Sequence, residues 1–100
     1  MKKRGRFHVL NIERVSEERQ GLIFYICRNL ELLTPEKRRI VDDLILRIGG
    51  DNAEALRRFV TTDDSAQSIC TQYYIGSTNT LCNLRRRFFL EFPLEDVVSD

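Results

Sequence analysis

The chain has 100 residues, and its 16 Lys and Arg against 15 Asp and Glu leave a net charge of +1. At that length it makes one domain, and its 42% apolar content lets it bury one modest core. No run approaches the roughly 20 apolar residues that cross a bilayer, which argues against a membrane-spanning helix.

Residues 1–7 read as a flexible basic arm carrying Lys2, Lys3, Arg4 and Arg6. No apolar signal-peptide core follows this basic start, so a cytoplasmic protein is expected. Residues 8–12 are an extended piece or a docking strap. Ser16 is a plausible N-cap, and Glu17 and Glu18 suit the positive end of a helix dipole. Leu22, Ile26, Leu30 and Leu33 then recur at helical spacing, with Ile23 and Cys27 beside them. The spacing predicts one largely buried helix over 17–33.

Thr34-Pro35-Glu36 is a strong helix start, because proline at the first helical position loses no needed N–H. Ile40, Val41, Leu44, Ile45 and Ile48 give this second helix its apolar face, and Gly49-Gly50 stops it. Asp51 and Glu54 have capping-box spacing ahead of a short helix through Leu56, Phe59 and Val60. Thr61 to Asp64 is expected to end that helix and cap the next, whose stripe is Ala66, Ile69, Cys70 and Tyr73. Gly76 marks a change of direction and Ser77 caps the last long helix. Leu81, Leu84 and Phe88 form its inner face, and Phe92-Pro93 ends it. Residues 94–100 read as a loose acidic tail, with Leu94, Val97 and Val98 able to pack on the core. The expected fold is all-α with about five helices: a helical core over 16–60 and a helix-turn-helix over 63–91.

The functional signal lies in residues 65–89. On a helical wheel, Leu84 and Phe88 fall within about 60° of Leu81, and Asn79, Asn83, Arg86 and Arg87 fall on the opposite half. Asn can pair with adenine edges, and Arg with guanine edges or phosphates. Arg85 lies nearer the buried side, where a sideways reach suits a phosphate. Ser77, Thr78 and Asn79 begin the helix, where exposed N–H groups and hydroxyls suit another phosphate. The candidate DNA-contact set is therefore Ser77, Thr78, Asn79, Asn83, Arg85, Arg86 and Arg87. The bland alternative is a solvated basic face, with Glu91 placed four residues after Arg87 to pair with it.

The run Tyr74-Ile75-Gly76-Ser77-Thr78-Asn79-Thr80-Leu81, continued by Leu84-Arg85-Arg86-Arg87-Phe88, resembles the second half of a bacterial helix-turn-helix. It is most similar to the region-4-like domains of sigma factors and of small phage regulators, over about a quarter of the chain. The resemblance implies a transcription regulator of phage or mobile-element type. It implies double-stranded DNA as partner, and it raises RNA polymerase as another. The basic arm would add a minor-groove or phosphate contact.

The competing reading is a protein-interaction module. The 17–33 helix is apolar nearly all round, and Phe24 and Tyr25 suit a homodimer interface. An enzyme is not expected, and neither is a cofactor. Gly49-Gly50 lacks the spacing and lysine of a phosphate loop. Asp42-Asp43 and Asp63-Asp64 are doublets whose side chains diverge on a helix. Cys27, Cys70 and Cys82 match no zinc spacing, and His8 is the sole histidine, so no metal site is expected.

Overall fold

The computed structural model describes Leu10, Ile12 and residues 14–99, all helix and connection with no strand among them. The basic arm and His8 lie outside the described residues. Six α-helices follow in order: α1 (Glu17–Arg28), α2 (Pro35–Gly49), α3 (Ala53–Thr61), α4 (Ala66–Gln72), α5 (Thr78–Glu91) and α6 (Leu94–Val98). Short 3-10 turns at Leu30–Leu32 and Gly50–Asn52 lead into α2 and α3.

Side-chain caps start four of these helices. Ser16 Oγ accepts from the Arg19 amide at 3.1 Å and Thr34 Oγ1 from the Lys37 amide at 3.3 Å. Ser65 Oγ accepts from Ser68 and Ser77 Oγ from Asn79, each at 3.1 Å. Each cap satisfies an amide that the first helical turn leaves without a partner. Two expected caps differ. The start of α4 is capped by Ser65 rather than within Thr61 to Asp64. No capping box forms at Asp51, because Gly50–Asn52 is already wound as a 3-10 turn and Asn52 begins α3 with no side-chain bond.

The first helix is shorter than its apolar periodicity. Asn29 Nδ2 donates to Tyr25 O at 2.8 Å, and the chain leaves helical geometry at that residue. Leu30 and Leu33 therefore reach the core from the connection after α1. Its buried side is Gln20, Ile23, Ile26 and Cys27, so the expected stripe through Leu22 is corrected: Leu22 is 49% and Tyr25 60% exposed. The physical reason is Gln20. Its Oε1 accepts from Leu10 N at 2.7 Å, and its Nε2 donates to Leu10 O at 3.1 Å and Val15 O at 3.0 Å. One buried amide thus ties the segment before α1 to the helix and turns that face inward.

Two apolar clusters form the interior. The larger joins Ile23, Ile26, Val41, Leu44, Ile45, Ile48, Leu56 and Val60 to Phe88, Phe89 and Phe92. Phe88 and Phe92 meet edge to face, 5.4 Å between centroids. The smaller holds Ala55, Phe59, Ile69, Cys70 and Leu81. Helices α3 and α5 contribute to both. The C-terminal segment is not loose: Leu94 and Val97 are buried, and Arg19 ties α6 to α1 through Glu95 at 2.9 Å and Phe92 O at 3.0 Å. Of the three apolar residues there, Val98 remains exposed.

The turn between α4 and α5 is built on an unexpected residue. Tyr74, not Gly76, takes the left-handed conformation, with φ 60°. The Ile75 amide donates to Cys70 O at 2.9 Å, which closes a Schellman-type end to α4 with Ile75 packed on the smaller cluster. A bulky residue in this region costs about 1–2 kcal/mol.

Two stability outcomes are expected. Gln20→Leu should lower the unfolding free energy by roughly 1–3 kcal/mol in denaturant melts, despite its greater hydrophobicity, because buried backbone groups lose their partners. Tyr74→Gly should raise it by about 0.5–1 kcal/mol, since relief of φ strain exceeds the added entropy of the unfolded chain.

Candidate nucleic-acid interface

Helix α5 is fixed by its apolar side. Leu81 is fully buried in the smaller cluster, and Phe88 and Phe89 are buried in the larger. Leu84, expected on the inner face, is half-buried against the larger cluster. Helix α4 packs across the first half of α5 through Ile69 and Cys70, and α3 packs beneath both. The connection from Tyr73 to Ser77 spans five residues and leaves Tyr74 94% exposed.

The seven expected contact residues fall into distinct groups. Thr78, Asn79, Asn83 and Arg86 are exposed, and Asn79, Asn83 and Arg86 share the side of α5 opposite Leu81. Ser77 is exposed, but its hydroxyl caps the Asn79 amide and its carbonyl accepts from Thr80 N at 3.2 Å. The helix start is therefore less open to a phosphate than the bare residues suggest. Arg87 is exposed and bonded to Glu91 at 3.4 Å, and Glu91 accepts a shorter bond from Arg47 of α2 at 2.6 Å. The bland pairing weighed for Arg87 is thus present, reinforced from a second helix. A surface pair of this kind contributes at most about 1 kcal/mol and is readily broken by a stronger anion.

Arg85 departs most from its expected sideways reach. It folds back over α3, with its guanidinium carbon 4.2 Å from the Phe59 ring centroid. Burial lowers its pKa from the ordinary arginine value. The Cys82 thiol opposes that shift, and the charges of Arg28 and Arg86 add to it.

Several features of this surface were not anticipated from residue order. Leu90, 40% exposed, falls on the same side of α5 as Asn79 and Asn83. Tyr74, in the left-handed conformation of the turn, stands exposed ahead of the start of α5. Arg28 lies inside an apolar run, yet it donates to Val60 O at 2.7 Å and pairs with Asp63 at 3.1 Å.

The acidic doublets have structural partners. Asp42 pairs with Arg57 at 2.7 Å and Asp64 with Arg58 at 2.7 Å. No cluster of His, Cys, Asp and Glu able to hold a metal occurs among the described residues. Cys27 and Cys70 are buried, and burial pushes the Cys27 thiol up to about 12, far from a reactive thiolate. No described helix is long and apolar enough to cross a membrane. No family model, curated protein or solved structure matches the chain.

The ion pairs set a pH dependence. Glu91 is held below the usual carboxylate range, chiefly by the Arg47 hydrogen bond, and Glu95 chiefly by the Arg19 hydrogen bond. A carboxyl whose folded pKa is depressed adds stability above its unfolded pKa and loses it as pH falls through the folded value. Melting temperature should therefore decline on acidification from the ordinary glutamate range downward. Arg47→Ala and Arg19→Ala should each flatten that decline in thermal melts between pH 6 and 3. Both effects are expected to be small, because the carboxylates face solvent.

Proposed function

We propose that this protein binds double-stranded DNA in a sequence-specific manner, with α5 entering the major groove and α4 bracing it as the first helix of a helix-turn-helix. The observation that carries the reading is the side of α5 bearing Asn79, Asn83 and Arg86, exposed on a helix whose other side is buried in both clusters. That face offers donors and acceptors at helical spacing for base edges. Thr78 lies at the leading end for the backbone, and Arg87 can exchange Glu91 for a phosphate. The role that follows is a transcription regulator of the phage or mobile-element kind. RNA polymerase is a candidate partner through the resemblance to sigma-factor domains.

A second reading has its own observation. Leu22 and Tyr25, one turn apart on α1, and Leu32, 69% exposed, leave apolar side chains in solvent. They support a protein-interaction module that dimerises through α1 without binding DNA. Phe24 contributes less than expected, because it is half-buried and Arg28 lies over its ring at 4.2 Å.

Fluorescence anisotropy of labelled duplex, titrated with protein at several salt concentrations, decides between them. The DNA reading expects affinity that falls steeply with salt. It expects Arg86→Ala to weaken binding more than Arg38→Ala on the exposed side of α2. In a randomised-site selection, Asn83→Ala should cost about 1–3 kcal/mol of discrimination at one base position. Folded protein that ignores duplex at low salt and sediments as a dimer, with Tyr25→Glu returning it to monomer, would favour the interaction module.

A further inference from the structure

Two arginines from distant parts of the chain meet at the C-terminal end of α3. Arg85 lies over Phe59, and Arg28 donates to the carbonyl of Val60, the next residue. Their situations differ. Arg28 has a carboxylate, Asp63, at 3.1 Å. The Arg85 Nε is buried with no hydrogen-bond partner. Asp63, the carboxylate that reaches this corner through Arg28, is engaged with it. The burial that disfavours the charged form of Arg85 is opposed by Cys82 and compounded by Arg28 and Arg86, with no carboxylate among the described residues acting on it.

A half-buried guanidinium without an anion is an unusual arrangement, because a buried donor left unmet loses its hydration without replacement. The Phe59 ring face compensates in part, but an aromatic face accepts none of the five N–H bonds that guanidinium geometry offers. The ring does hold the planar group in a fixed orientation. The Nε is closed to solvent, so a phosphate meets the terminal N–H groups, which a guanidinium held in a fixed plane among like charges can present bidentately.

We propose that Arg85, oriented by Phe59 and backed by the charges of Arg28 and Arg86, is a phosphate-binding site at the junction of α1, α3 and α5. Under the DNA reading, on which this form of the inference rests, the phosphate belongs to the duplex backbone beside the groove that α5 enters. The contact would set the register of α5 and carry no base information of its own. The same chemistry would accept a free phosphate group.

The test uses the full chain, with Arg85→Gln to remove the charge and keep the stem, and Arg85→Lys to keep the charge and remove the fork. Thermal melts first establish that each variant is folded. In wild type labelled with nitrogen-15, the Arg85 Nε–H signal is followed while inorganic phosphate replaces chloride at constant ionic strength. Labelled duplex is then titrated with all three proteins across a salt series. The expected results are a saturable shift of the Arg85 signal with phosphate, and about tenfold weaker duplex binding by Arg85→Gln. The logarithmic salt slope should fall by about one in Arg85→Gln. Arg85→Lys should restore the slope but only part of the affinity. A phosphate shift in a protein that binds no duplex would support the site with free phosphate as its source, and only the DNA reading would fall. Duplex binding that is unchanged in affinity and slope in both variants, with a stationary Arg85 signal, would overturn the site and leave the DNA reading standing. Loss of thermal stability in Arg85→Gln with no change in either binding readout would also overturn it, and would make Arg85 a cover for Phe59.

Discussion

The packing of α5 against α3 constrains the rest of the molecule, because these two helices are shared by both apolar clusters. Leu56 and Val60 of α3 face the larger cluster with Phe88 and Phe89, while Ala55 and Phe59 face the smaller one with Leu81. A helix held at two points along its length cannot roll about its axis without opening one of them. Close-packed interiors resist such displacement, since even small losses of contact are felt. The orientation of Asn79, Asn83 and Arg86 is therefore set from beneath, by residues that touch no ligand. The α4 segment supports only the first half of α5, through Ile69 and Cys70. The second half depends on Phe88, Phe92 and the Arg47–Glu91 pair from α2.

Much of this was legible in local sequence, and the reason is that caps are local. Ser16, Thr34 and Ser77 each serve an amide two or three residues away, so their roles follow from short-range geometry. The apolar faces of α2 and of the first half of α5 followed from period alone. The errors arose where a distant group decides the outcome. Gln20 is inside because Leu10 and Val15 present backbone groups to it, and no helical wheel of α1 contains that information. Periodicity through Leu30 and Leu33 was real as partial burial and misleading as helix, because both residues pack against the core from a 3-10 turn and its exit. The acidic tail packs because Leu94 and Val97 enter the larger cluster, and Arg19 meets Glu95 across 76 positions beside them.

The candidate interface shows the same division. Exposure of Thr78, Asn79, Asn83, Arg86 and Arg87 was readable, since it is the complement of a periodic apolar face. What each polar group touches was not. Arg85, Arg86 and Arg87 are identical in the sequence and lie in three environments: folded over an aromatic ring, on the exposed face, and paired with Glu91. Successive residues on a helix differ by about 100° in direction, which is enough to send three neighbours to three surroundings. A run of like charges on a helix is thus a set of separate groups, each to be judged by its own partners.

That separation bears on how α5 could discriminate among sequences. Base reading requires side chains that give up water and receive an equivalent bond from a base edge, while backbone contacts only require charge. On the DNA reading, the exposed asparagines fit the first task, because an amide that gives up its water against a base edge lacking the matching groups is left unpaired at a cost. The arginines at the margins fit the second: Phe59 orients Arg85, and Glu91 holds the place beside Arg87 that a phosphate would take. On the DNA reading, such partners would hold the side chains near a productive geometry before binding, and less conformational freedom would then be lost on association. Glu91 also sets a threshold, since a ligand must outcompete it at Arg87. An isolated anion meets one such group at a time, whereas a duplex presents phosphates at regular spacing along both strands. Selectivity for an extended polyanion would then arise from engaging Arg85 and Arg87 together, and the asparagine face between them would be left to read the bases.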